Sequence, residues 1–214
     1  MSDDDGFSWL KQGSTSSEEV ARYYDAMAAT YDSTLQAWDY RAPDAAAAML
    51  GGYAEPDASV LDAGCGTGLA GLALRRAGFD GPIDGIDLSP ASVERARRRG
   101  LYRRLAVADM QELPLALDAD AYDATFCIGV MTYIPDGEDL LREFARVTRA
   151  GGHVLFSQRQ DLFAERSFDE LLRRLDESGV CETLEVTPPR PYLPANPDFG
   201  DDVGVIYVAL RALG

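Results

Sequence analysis

Short apolar runs punctuated by glycine turns dominate the chain after residue 58, and they alternate with segments of helical period. Residues 59–62, 83–87, 102–107, 122–128 and 153–157 are compact and apolar, which predicts buried strands. Helices are expected between them at 69–77, closed by Gly78, and from Ser89-Pro90 to Arg99, with Gly100 after the end. A further helix is expected at 137–148, before Ala150-Gly151-Gly152. Strands alternating with helices in this way make right-handed βαβ units and a doubly wound parallel sheet. After a helix at 168–178 the order changes: strands at 183–186 and 203–210 follow each other without a helix, which favours antiparallel pairing. The segment between them, 188–202, holds five prolines. It reads either as a substrate-side lid or as a stiff surface loop.

Ahead of this repeat, residues 1–15 are polar and read as a mobile leader. A helix begins near Ser17 with Ser16 or Ser17 as cap, and it brings Tyr24, Ala28 and Tyr31 onto one face. A second helix follows Pro43 and ends at Gly51-Gly52. The expected organisation is therefore a leader (1–15), an N-terminal helical cap (16–52) and one α/β domain (53–214). The domain carries a Rossmann-like, doubly wound, seven-stranded sheet. That sheet is mostly parallel with an antiparallel C-terminal strand, and helices cover both faces.

Charge and rare residues narrow the chemistry. The formal net charge is −16, and Lys11 is the only lysine among 20 basic residues. Such a surface repels phosphate, so nucleic acid and anionic membranes are not expected as partners, and small neutral or cationic substrates fit better. The acidic, arginine-rich composition suits either a high-salt habitat or a GC-rich genome. No apolar stretch reaches the length of a membrane span, and Met1-Ser2-Asp3-Asp4-Asp5 has no secretory character. Cys65, Cys127 and Cys181 are odd in number and far apart, which predicts reduced core thiols in a cytoplasmic protein. With one lysine and one histidine, His153, there is no phosphate-loop lysine, no Tyr-x-x-x-Lys pair and no multi-histidine metal site. No metal is expected. His153 starts its strand at the end of the sheet away from any ligand and reads as structural. Arg95, Arg97, Arg98, Arg99, Arg103 and Arg104 read as a solvated face.

The densest chemical signal follows the first strand. Gly64, Gly66 and Gly68 allow backbone conformations closed to other residues, and they let a ligand approach the main chain at a helix amino terminus. Gly66-Thr67-Gly68-Leu69-Ala70-Gly71 fits G-x-G-x-x-G, with Asp87 lying 21 residues after Gly66, so a dinucleotide is one candidate ligand. Two features oppose it. The four residues Asp62-Ala63-Gly64-Cys65 stand where the first glycine should end the strand, and the Asp62 carboxylate would repel a pyrophosphate. A ligand with an ammonium and a sulfonium suits that carboxylate better.

The run Val60-Leu61-Asp62-Ala63-Gly64-Cys65-Gly66-Thr67-Gly68 resembles motif I of the class I S-adenosylmethionine-dependent methyltransferases. The likeness continues through Gly85-Ile86-Asp87-Leu88-Ser89, Ala108-Asp109-Met110, Tyr122-Asp123 and Arg146-Val147-Thr148-Arg149-Ala150-Gly151-Gly152. The leader Tyr23-Tyr24-Asp25, Tyr31-Asp32 and Tyr40-Arg41-Ala42-Pro43 is more loosely similar to small-molecule members, including the Williams–Beuren-region methyltransferase-like group. The resemblance implies S-adenosyl-L-methionine as cofactor. It implies that Asp87 accepts from the ribose hydroxyls, and that Asp109 with the Met110 amide holds the adenine. Gly64 and Gly129 would offer carbonyls to the methionine ammonium, with Asp62 beside them. Cys65, Gly66, Gly68, Leu88 and Ile128 complete the implied cofactor site. Tyr24 and Tyr31 would close over the methionine end or simply pack. Arg41 would pair with the cofactor carboxylate or make a surface ion pair.

In-line methyl transfer from a sulfonium demands positioning rather than a fixed catalytic group. Tyr133, Asp161 and Tyr24 are candidates for a general base. The expected function is methyl transfer to a small molecule. An NAD(P)-linked oxidoreductase and a non-catalytic cofactor-binding protein are the alternatives.

Overall fold

The structure is a computed structural model that describes residues 14–196 and 200–214, and side chains at all of these except 200–202. The expected mobile leader lies outside the described residues as far as position 13, as do residues 197–199 of the expected lid.

Three helices come first: α1 (Ser17–Met27), α2 (Tyr31–Ala37) and α3 (Ala42–Leu50). Then follow β1 (Val60–Ala63), α4 (Leu69–Arg76), β2 (Ile83–Asp87), α5 (Pro90–Arg98), β3 (Arg104–Val107) and β4 (Tyr122–Cys127). The chain continues through α6 (Gly137–Val147), β5 (Thr148–Arg159), α7 (Gln160–Glu165), α8 (Phe168–Glu177), β6 (Cys181–Val186), β7 (Arg190–Leu193) and β8 (Gly200–Ala212). The strand order is β3-β2-β1-β4-β5-β8-β6, with β1 to β5 parallel and β8 antiparallel to both β5 and β6.

The expected seven strands are eight, because β7 pairs with β8 beyond β6. Two prolines, Pro188 and Pro189, cannot donate to the ladder, so they split one edge into two short strands along the same neighbour. Thr187 bridges the break: its amide donates to the Tyr207 carbonyl, and its Oγ1 accepts from the Tyr207 amide. Half of the expected loop is thus a strand. Because β6 and β5 both run against β8, the polypeptide leaves β6 at the carboxyl end of the sheet.

The two-residue period of the strands sorts the core onto two faces. Leu61, Ala63, Val154, Phe156 and Val208 pack on one side with Leu140, Phe144, Leu171 and Leu175 of α6 and α8. Val60, Phe126, Leu155 and Tyr207 pack on the other with Ala46, Leu50, Ala73 and Leu74 of α3 and α4. Helix α3 therefore belongs to the covering layer of the sheet. Ser16 caps α1 and Ser89 caps α5, each accepting from an amide of the first turn. The expected continuous face bearing Tyr24 and Tyr31 is broken, because α1 stops at Met27 and Tyr31 opens α2. Among the described residues no helix is long and apolar enough to cross a membrane.

β1 sits between β2 and β4, so the chain reverses its winding there and opens a crevice at the strands' carboxyl ends. Phe126 on β4 is fully buried at this centre. Phe126→Ala is expected to lower the unfolding free energy by about 3–5 kcal/mol with an unchanged urea m-value.

Candidate functional site

The turn after β1 is built by left-handed glycines: φ is +85° at Gly64, +50° at Gly66 and +92° at Gly68. At Gly64 a Cβ would sit 2.1 Å from Val130 Cγ2, so space as well as backbone angle requires glycine there. No protein atom lies within 4 Å of the corresponding point at Gly66, which faces open space. Asp87, at the end of β2, braces this turn. Its Oδ2 accepts from the Gly66 amide at 2.8 Å and its Oδ1 from the Ser89 amide at 2.9 Å. Burial pushes its carboxyl above the usual range, and the two amides oppose that shift.

A cavity of about 690 Å³ opens over the turn. Gly64, Gly66, Asp87, Leu88, Asp109, Met110, Ile128 and Gly129 line it, as do Tyr24, Tyr31 and Tyr133. These are the ends of β1, β2 and β4, the loop after β3, and the N-terminal helices. Among the described lining residues only Asp87 and Asp109 are charged. Asp109 Oδ1 accepts from the Gln111 amide at 2.8 Å, which fixes the loop after β3.

Asp62 lies beneath the turn and is fully buried. Its Oδ2 accepts from the Tyr102 hydroxyl at 2.6 Å, while its Oδ1 has no hydrogen-bond partner. Desolvation pushes this carboxyl up to about 7, against the Tyr102 hydrogen bond. Cys65 and Gly68 also face inward rather than lining the cavity: Cys65 is buried and Gly68 packs on Arg99. Arg41 is not brought into the site. Its side chain is exposed and pairs with Asp39 at 2.7 Å, the surface ion pair of its two readings.

The N-terminal helices are pinned over the cavity by two carboxylates that carried no role in the sequence reading. Asp25 accepts from the Ser89 hydroxyl at 2.5 Å and the Ala91 amide at 3.1 Å. Asp32 accepts from the Thr67 hydroxyl at 2.5 Å and pairs with Arg99. Arg99 also donates to the Thr67 carbonyl, and Arg103 grips Asp84, so this arginine cluster is only partly a solvated face. The seven-residue spacing of Asp25 and Asp32, parallel to that of Tyr24 and Tyr31, was the available signal.

A second, smaller cavity adjoins the first and shares Tyr24, Tyr31 and Gly129 with it. Tyr23, Trp38, Tyr40 and Tyr192 complete its aromatic wall. None of these four was singled out as a site residue, because they come from α1, the end of α2, the loop before α3 and β7. The Tyr40 and Tyr192 rings meet edge-on at 5.7 Å, as do those of Tyr24 and Tyr31. The Tyr24 hydroxyl donates to that of Tyr133 at 2.8 Å, and burial holds both phenols above their ordinary range. Asp161 is engaged by Arg159, whose Nη2 lies 2.5 Å from Oδ2. Among the described residues no cluster of histidine, cysteine or carboxylate side chains is arranged to hold a metal. His153 stands at the far end of the sheet against Tyr53, where burial lowers its basicity.

Comparison with known proteins adds the following. Residues 61–156 match the methyltransferase domain family. The chain is 33% identical over 176 residues to the human methyltransferase-like protein 27, covering 78% of this chain and 69% of that one. It is 32% identical over 105 residues to the ubiquinone biosynthesis O-methyltransferase of Alkalilimnicola ehrlichii, covering 46% of this chain and 40% of that relative's length. In fold it is similar to a chain of the Haloferax volcanii complex between the Trm112 methyltransferase activator and a methyltransferase. That likeness has a TM-score of 0.67 and 21% identity, and it spans 91% of this chain and 98% of that one.

The buried Asp62 predicts a pH signature in the ligand-free protein. The folded state keeps a proton that the unfolded chain loses above about pH 4, so this group's contribution is full at low pH. It is lost as pH rises to about 7. Urea unfolding at pH 5 and pH 8 is expected to show that Asp62→Asn, relative to the unmodified protein, gains about 3 kcal/mol of stability across that interval.

Proposed function

The chain belongs to the class I S-adenosylmethionine-dependent methyltransferases, and on that premise we propose that it methylates a small molecule held beside the cofactor. The observation that carries this reading is the pair of adjoining cavities: one walled by carboxylates and glycines, the other small and aromatic. With S-adenosylmethionine as cofactor, the oxidoreductase alternative falls away. The site's own chemistry agrees, since a pyrophosphate would meet Asp87 and Asp109 with no cation lining the cavity.

The cofactor supplies an electrophilic methyl group on a sulfonium, whose departure needs no acid. We assign the Asp87 carboxylate to the ribose hydroxyls and Asp109 with the Met110 amide to the adenine. The apolar side chains of Leu88 and Ile128 flank them. The carbonyls of Gly64 and Gly129 suit the methionine ammonium. Asp62, whose carboxyl burial raises to about 7, ionises more readily beside a cationic end of the ligand and in that form favours it. Tyr24 and Tyr31 line both cavities and Tyr133 the first, which suits the three rings to exclude water from the methyl path. In-line displacement is the mechanism we infer, with the protein acting through position rather than through a covalent intermediate. The small second cavity supports a metabolite-sized acceptor over a protein or nucleic acid chain, and the acidic surface supports the same choice. The three buried free thiols fit a reducing, cytoplasmic setting.

Calorimetry with S-adenosylhomocysteine tests the cofactor site. Asp87→Ala is expected to weaken binding by about 100-fold or more, as the loss of two hydrogen bonds to a charged group implies. Binding indifferent to the substitution contradicts the assignment. For the acceptor, a cell extract incubated with methyl-labelled S-adenosylmethionine is expected to carry protein-dependent label in the filtrate that passes a small-pore membrane. Label confined to retained protein or RNA contradicts a small-molecule acceptor.

A further inference from the structure

We propose that the second cavity, framed by Tyr24, Tyr31, Tyr40, Tyr192 and Trp38, binds an amine and that the methyl group is delivered to its nitrogen. The assignment rests on the cofactor reading of the adjoining cavity.

Three observations converge on a nitrogen acceptor. The first is the wall. Among the described residues none of the side chains lining this cavity is charged, and five of them are tyrosines. Aromatic faces attract a cation through their quadrupole without the desolvation cost of a buried carboxylate. An anionic acceptor, by contrast, would find no cation in the wall. The Tyr40 hydroxyl stands only 3.0 Å from the point a Cβ would occupy on Gly129, so this aromatic wall reaches the shared boundary of the two cavities.

The second is the movement of charge. As the nitrogen lone pair forms the new N–C bond, the methyl–sulfur bond breaks and its electron pair goes to sulfur. The positive charge leaves the sulfonium and arrives on nitrogen, so a cage that favours a cation favours the transition state and the product together. A tertiary amine becomes a quaternary ammonium and no proton moves.

The third is the lack of a base. The Tyr24 and Tyr133 phenols are hydrogen-bonded to each other and held neutral by burial, and Asp161 is tied to Arg159. An alcohol acceptor must lose a proton to react, and among the described residues no carboxylate or histidine lines this cavity to take it. A neutral amine needs none. The net charge of −16 also gathers ammonium ions around the protein; each gives its proton to bulk solvent and enters the cavity as the neutral amine whose lone pair attacks.

The test uses the full chain saturated with S-adenosylhomocysteine and, as probe, benzyltrimethylammonium. Calorimetry is expected to detect binding of the probe. Tyr192→Leu should weaken it about tenfold, while Tyr192→Phe, which keeps the ring, should stay within about twofold of the unmodified protein. Tyr192 does not line the first cavity, so both variants should bind S-adenosylhomocysteine normally, which also certifies their folding. With S-adenosylmethionine and N,N-dimethylbenzylamine, benzyltrimethylammonium and S-adenosylhomocysteine should accumulate in equal amounts. A protein that binds S-adenosylhomocysteine but ignores the probe overturns the amine assignment and leaves the cofactor reading intact. So does equal probe binding by the Leu and Phe variants, or preferential methylation of benzyl alcohol. Failure to bind S-adenosylhomocysteine at all overturns both.

Discussion

Everything at the functional end of this molecule depends on one carboxylate joining two turns. Asp87 accepts from the amides of Gly66 and Ser89, and so locks the glycine turn after β1 to the start of α5. Three left-handed glycines would otherwise leave that turn free to collapse into the crevice. Once braced, it offers Ser89 and Thr67 as anchors, and the N-terminal helices use both. Asp25 takes the Ser89 hydroxyl and Asp32 takes that of Thr67. The tyrosines next to those aspartates, Tyr24 and Tyr31, are thereby set over the crevice. A constraint on two backbone amides propagates in this way into the shape of two cavities.

The electrostatics of the site follow from the same arrangement. The braced turn stands above Asp62, a carboxyl buried in the sheet and hydrogen-bonded by the Tyr102 hydroxyl. Asp87 and Asp109 add negative character at the cavity wall, and no lining side chain among the described residues is positive. Beyond them the described side chains of the wall are uncharged and largely aromatic. On the proposed function, the methyl group would travel from a cationic sulfur beside the carboxylates towards an acceptor among the aromatic faces.

The architecture was legible because its signals are local. Short apolar runs alternating with helical segments located the five parallel strands, and Ser89-Pro90 announced the start of α5. The glycines of the turn and Asp87 were legible from their spacing after the first strand, whereas Asp109 and Gly129 came only from the resemblance to class I methyltransferases. The unread features come from long-range pairing. Nothing local to Tyr102 indicates that its hydroxyl reaches Asp62, 40 residues earlier. Tyr40 and Tyr192 meet only because β7 joins β8, and β7 was hidden by its prolines, which read as loop residues unless one knows that an edge strand tolerates them. The break between α1 and α2 was masked because the tyrosine spacing suits a continuous helix, yet the rings still touch across the turn.

The measurement that tests the central claim most directly is a crystal structure of the full chain grown with S-adenosylhomocysteine. The account predicts the ribose hydroxyls on the Asp87 carboxylate, the adenine against Asp109 and Met110, and the sulfur at the junction formed by Gly129, Tyr24 and Tyr31, facing the tyrosine-lined cavity. A ligand bound elsewhere contradicts it. So does one in the same crevice whose sulfur points away from that cavity.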